Sequence, residues 1–142
     1  MKQAIILLLL FPLSIFAMES DWTVGKDNCT AYSRPTYIDD NAIYLAASIT
    51  ESGSLRGFFL YTMTNGVNPI DGAQAVRING NDMRFAVTTP TAKTILLEPQ
   101  EPKDTMYLLQ SATTGSLKFN DAVIKTAGAK STIDYLFENC SN

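Results

Sequence analysis

Hydrophobic and polar positions alternate along much of this chain, and the alternating runs are bounded by Gly, Asn, Asp or Pro. That is the pattern of short β-strands joined by turns. "DWTV" and "CTAYSRP" predict two strands around a turn at Gly25-Lys26-Asp27-Asn28, the second ended by Pro35. "AIYLAASI", residues 42–49, suits either a buried strand or a helical turn; the polar loops "IDDN" and "TESGS" on either side fit the length of a strand. "GFFLYTM", residues 57–63, is apolar at both parities: Phe58 and Leu60 face one way, Phe59, Tyr61 and Met63 the other. Such a strand is central in its sheet or covered on both sides.

"AVRINGNDMRFAV" predicts a hairpin, with Val76 and Ile78 alternating with Arg77, and Met83, Phe85 and Val87 alternating with Arg84 and Ala86. Apolar parity permits two registers. A two-residue Asn79-Gly80 turn sets Arg77 opposite Asp82, whereas a Gly80-Asn81 turn sets it opposite Arg84; charge favours the first. "KTILLE", residues 93–98, predicts a further strand, and "PQEPKD" after it, with Pro99 and Pro102, an exposed loop. "TMYLLQSA" and "SLKF" flank Thr113-Thr114-Gly115 in the manner of another hairpin.

The period changes at the end of the chain. In "STIDYLFENC", Ile133, Leu136, Phe137 and Cys140 fall at i, i+3, i+4 and i+7, one apolar stripe of a helix, with Ser131 as its N-cap and Asp134 near the first amides. Short strands followed by one helix predict a mainly β fold: an antiparallel β-sandwich or partly open barrel with a single C-terminal α-helix.

The opening "MKQAIILLLLFPLSIFA" reads as a secretory signal peptide over residues 1–17: Lys2 is its only charge, an apolar run follows, and Ala17 is a small residue at the cut. The run is short for a membrane span, and Pro12 interrupts it. Residues 18–142 are then one secreted β-rich domain, long enough to bury a core. Losing Lys2 leaves 10 basic against 14 acidic residues, a formal charge of −4, with no electrostatic footprint for nucleic acid or an anionic membrane surface.

Export changes the meaning of the two cysteines. Cys29 and Cys140 stand near opposite ends of the domain, and outside the cytoplasm two thiols most simply pair with each other. Such a bridge ties the final helix to an early strand and is worth at most about 4–5 kcal/mol by chain entropy; free thiols or pairing between molecules are the alternatives. Trp22 and Tyr32, flanking Cys29, are expected to pack around the bridge. Asn28 and Asn139 each begin an Asn-x-Ser/Thr triplet with a cysteine in the middle, which is read as coincidence rather than as a glycosylation signal.

The chain has no histidine, which removes Ser-His and Cys-His nucleophilic pairs and histidine-bearing zinc sites. "ESGSLRG" lacks the serine-elbow pattern, and its Gly53 and Gly57 are assigned to turn geometry. Carboxylates are the remaining candidates for catalysis. Asp39 and Asp40 are adjacent, so their side chains diverge, and calcium needs six to eight oxygens; a solvated loop is the favoured reading. Glu98, Glu101 and Asp104 are assigned to solubility. No metal and no cofactor is expected. Tyr37 in "RPTYIDDN" is the aromatic best placed for an exposed contact, so Tyr37, Asp39 and Asp40 form the candidate binding surface.

Trp22, Val24, Cys29, Ala31 and the terminal helical Cys140 together resemble the small periplasmic proteins of the invasion-associated locus B group. Where many of those proteins carry a further cysteine close to the valine, this chain has Gly25 and Lys26. The resemblance implies a bacterial periplasmic β-sandwich without known catalysis, sometimes tied to host-cell colonisation. The expected function is a non-catalytic secreted or periplasmic binding protein for an envelope or host component, without stable membrane insertion. Two alternatives stay open: an inhibitor or effector of an extracellular protein, contacting it through "PQEPKD" or "SRPTYIDD", and a carboxylate-dependent hydrolase needing two acids in one cleft.

Overall fold

Strands with one apolar face must bury it in common, and here ten of them share one curled antiparallel sheet. The computed structural model describes residues 20–141, so the leader expected over residues 1–17 and the start at 18 lie outside the described residues. The elements in chain order are β1 (Trp22–Val24), β2 (Thr30–Ser33), β3 (Thr36–Ile38), β4 (Asn41–Ile49), β5 (Leu55–Thr62), β6 (Asp71–Ile78), β7 (Asn81–Thr91), β8 (Thr94–Pro99), α1 (Pro102–Ala112), β9 (Ser116–Phe119), β10 (Ala122–Lys125) and α2 (Ala129–Asn139). The spatial order is β1-β2-β4-β5-β8-β7-β6-β9-β10, with β3 also paired to β4. Both β2 and β3 run antiparallel to β4, end to end along it, with Arg34 and Pro35 between them. The 42–49 run is therefore a strand, and β5 is central, between β4 and β8.

The β6–β7 hairpin takes the register that charge favours: Ile78 faces Asn81 and Arg77 faces Asp82, their side chains 3.3 Å apart. Across the sheet one set of parities turns inward. Ile43, Leu45, Phe59, Val76, Ile78, Phe85, Leu97, Leu117 and Phe119 join a single buried cluster, in which the Phe59 ring lies 4.8 Å from Phe119 and 5.8 Å from Phe85. The outward set of β4 and β5 is less covered. Phe58 nonetheless stays buried beneath the Arg56 guanidinium, 4.9 Å above its ring, and Arg56 forms a two-pronged pair with Glu98 at 2.7 and 2.8 Å. Glu98 is thus a structural partner rather than a merely solubilising charge.

The sheet curls until its ends meet, but the seam is not a strand ladder. The Thr36 hydroxyl of β3 donates to the Val123 carbonyl of β10 (2.9 Å), the Trp22 indole of β1 donates to the Thr126 carbonyl (3.0 Å), and Asp21 exchanges two 2.9 Å bonds with Ala127, one through its carboxylate. These four bonds, three of them through side chains, make a partly open barrel. Trp22 is therefore held at the seam, and Tyr32 lies edge-on to Tyr44 at 5.8 Å.

A similar substitution of side chain for backbone joins β6 to β9, which share a single paired position, Ile78 with Phe119. Asn79 and Asn120 open their turns with positive φ, 50° and 51°, which swings their own carbonyls out of the ladder. Each side-chain oxygen takes the missing acceptor's place: Asn79 Oδ1 receives the Lys118 amide at 2.8 Å, and Asn120 Oδ1 the Arg77 amide at 3.0 Å. Asn120→Gly, which keeps the turn but removes the acceptor, is expected to cost about 1 kcal/mol, and Asn120→Ala, which loses both, about 2 kcal/mol. Urea unfolding checks the order, and faster exchange of the Arg77 amide in both variants checks the cause.

Two helices fill the concave side, where the sequence pattern indicated one. Residues 102–112, split by that pattern between an exposed loop and a strand of a hairpin, form α1: Pro102 occupies its first turn with Asp104, and Thr105, Leu108, Leu109 and Ala112 supply a helical stripe. The Thr113-Thr114-Gly115 turn is real but leads from α1 into β9, and "SLKF" pairs instead with β10 across Asn120-Asp121. Gly57 is not a turn residue. It lies inside β5, where an added Cβ would sit 2.9 Å from Leu109 Cδ2, so its bareness lets α1 approach the sheet.

Helix α2 begins three residues earlier than the sequence suggests: Gly128, at φ 90°, is its N-cap, and Ser131 is inside it, donating back to the Gly128 carbonyl. Asp134 pairs with Lys130 at 3.0 Å. The buried stripe is Ala129, Thr132 and Leu136, with Ile133 and Cys140 half-buried, and Phe137, expected inward, is exposed. At its end the Cys29–Cys140 disulfide is formed, with Cα atoms 4.6 Å apart and a sequence separation of 111.

Candidate functional site

The seam that closes the barrel also leaves it open at one end. Strand β5 runs from Gly57, under α1, toward Tyr61, and the helices occupy the concave side at the Gly57 end. At the Tyr61 end, above the Thr36–Val123 bond, β3 and the β9–β10 turn enclose a groove of about 450 Å³. Its walls are Tyr37 and Ile38 on one side and Asn120, Asp121 and Ala122 on the other, over Tyr61 and Phe119. Phe119 is fixed by its stacking on Phe59, and Asn120 by the two bonds it makes with Arg77, so the floor and one wall are built into the fold.

Tyr37 alternates with the half-buried Thr36 and Ile38 on β3 and is 71% exposed, the most exposed large hydrophobic side chain among the described residues. Asp39 and Asp40 form the two-residue turn from β3 into β4, Asp39 at φ 55°, and both are exposed. The Asp40 carbonyl accepts the Thr64 hydroxyl, and Asn41 Oδ1 accepts the Thr64 amide at 2.9 Å, which pins the turn to the chain after β5. Of the three residues expected to form a binding surface, Tyr37 therefore lines the groove, while Asp39 and Asp40 are not among its lining residues and follow Ile38 on the adjoining turn.

A second, polar depression shares Asn120 and Asp121 and is completed by Ala75, Arg77 and Asp82. It holds two carboxylates, but Asp82 is already paired with Arg77 and both partners are largely exposed. Among the described residues, no three His, Cys, Asp or Glu side chains gather as metal ligands. On the outer face, away from the groove, burial raises the Tyr44 pKa and neighbouring Tyr32 adds to it, against a hydrogen bond with Thr62; the bond to Glu98 raises that of Arg56.

Of the groove residues, the sequence pattern singles out Tyr37 alone as a contact and Tyr61 only as a strand position; Ile38, Phe119, Asn120, Asp121 and Ala122 are not singled out. A local signal exists: Asn120-Asp121 stands between "SLKF" and "AVIK", whose apolar parities match across a two-residue turn. Nothing local places that turn beside Tyr37. Chemically, the groove is lined by three aromatic residues, a carboxamide and one carboxylate, a set suited to holding an apolar or cationic group. Comparison with known protein families, with curated proteins and with solved structures returned no match.

Proposed function

We propose that this protein is a non-catalytic binding module of the bacterial envelope or of the secreted fraction, and that the groove beside Tyr37 is its contact site. The observation that carries this reading is a large, exposed tyrosine on the lip of a preformed groove with an aromatic floor. Exposed apolar area is costly in water, and an aromatic side chain beside a fixed concavity is the usual anchor of an interface. The disulfide, and the absence among the described residues of a helix long and apolar enough to cross a membrane, are compatible with export. The resemblance of its two ends to the invasion-associated locus B group points the same way.

The inhibitor or effector alternative uses the same surface, because "SRPTYIDD" becomes β3 and its turn; "PQEPKD" instead runs into α1. The hydrolase alternative needs two acids in one cleft; Asp39 and Asp40 are both exposed, which weighs against it, and of the two acids in the polar depression, Asp82 and Asp121, the first is paired with Arg77.

Affinity capture from envelope and extracellular extracts tests the reading. Tyr37→Ala is expected to abolish capture of whatever species the wild-type domain retains, while Phe137→Ala, an exposed aromatic on α2 away from the groove, leaves it intact. Identical retained species for wild type and Tyr37→Ala would remove the groove from the function.

A further inference from the structure

We propose that the groove between β3 and the β9–β10 turn receives a basic side chain, lysine or arginine, from an extended segment of a partner protein. This rests on the binding reading above and adds the chemistry of what is bound. Shape argues for a side chain rather than an added strand. A third strand between β3 and β10 would need about 10 Å, twice the ordinary strand spacing of about 4.8 Å, whereas the Thr36 hydroxyl already reaches the Val123 carbonyl at 2.9 Å. Only above that bond is there space, and about 450 Å³ admits a long side chain entering from the open end.

The lining fits both halves of such a side chain. Ile38 and Ala122 face an aliphatic stem, and the rings of Tyr37, Tyr61 and Phe119 offer π-faces or edges to the cationic head. The charge is one-sided. Asp121 is in the wall, Asp39 and Asp40 follow Ile38 on the adjoining turn, and no lysine or arginine lines the groove. The cation of the neighbouring depression, Arg77, has its ion pair with Asp82 at 3.3 Å, and Asp121 is in none of the ion pairs among the described residues. A negative, aromatic and partly enclosed site favours an organic cation over a neutral chain of the same length. Tyr37, standing free at the lip, can close over the stem once it is seated.

The test uses three blocked tripeptides with lysine, arginine or norleucine between glycines, titrated into the isotope-labelled domain. Norleucine keeps the aliphatic stem and removes the charge. Saturable shifts are expected at Tyr37, Tyr61, Phe119 and Asp121 with at least one basic peptide, which binds about tenfold more tightly than norleucine. Asp121→Asn, an exposed change that leaves the fold intact, is expected to weaken the basic peptide roughly threefold, as is a rise to about 0.5 M salt. Equal binding of norleucine overturns the cation inference while leaving the groove a binding site. Shifts absent from the groove for all three peptides also overturn it, and the Tyr37→Ala capture then decides the broader reading by itself.

Discussion

Phe59→Ala is expected to lower the unfolding free energy by about 3–5 kcal/mol and the melting temperature by on the order of 10–20 °C. Phe59 is fully buried on the central strand and stacks on both Phe85 and Phe119, so its removal leaves a cavity that rigid neighbouring strands cannot collapse. It is also the support of the groove floor, because Phe119 keeps its position through that 4.8 Å contact. Urea unfolding should show a lower midpoint with little change in slope, and resonances of Tyr61 and Asn120 should broaden or move in the folded variant. Val123→Ala, at an exposed position of β10, is the control and should cost less than about 0.5 kcal/mol. A loss below about 1 kcal/mol for Phe59→Ala would show that the inward faces are not packed as one cluster.

Breaking the disulfide is expected to have the next largest effect. Cys29→Ser, alone or with Cys140→Ser, should cost about 2–5 kcal/mol under oxidising conditions, because the bridge spans 111 positions and its loss frees almost the whole domain's unfolded ensemble. The loss should also be uneven. Helix α2 packs on β1, β2 and β4 through a narrow stripe, has no side-chain N-cap, and is held at its start by the Thr126 and Ala127 seam. Its C-terminal turn therefore depends on Cys140, and amide exchange should accelerate there before it does in β4 or β5. An unchanged melting temperature, together with two titratable thiols in the wild type, would show that the staple is not formed in solution.

The parts of the fold that were legible in the sequence are those decided by neighbours along the chain. The Asn79-Gly80 turn with Arg77 opposite Asp82 is one such case, since turn chemistry and cross-strand charge both act within a few residues. The both-parity apolar run of β5 gave its central position, and the helical period gave α2, although Phe137 turned outward because the buried stripe runs through Ala129, Thr132 and Leu136 and leaves Phe137 at its edge. Residues 102–112 were misread because two prolines argue for a loop and consecutive apolar residues 106–109 satisfy a strand as readily as a helix. What settles them is distant: the bare Cα of Gly57 on β5, which gives Leu109 of α1 a place against the sheet.

The candidate site divides the same way. The exposure of Tyr37 was recognisable because a tyrosine between Pro35 and an acidic turn has little beside it to cover its ring. Phe119, Asn120 and Asp121 became its neighbours only when the sheet curled far enough for β10 to reach β3. Alternation, turn residues and cysteine parity thus determined by themselves that the chain makes antiparallel hairpins, a terminal helix and a staple between its ends, because each is a local or pairwise preference. The closure of the barrel, the seating of α1 and the groove were decided only by tertiary structure, because they depend on how sheet curvature sums over ten strands, and no single segment carries that sum.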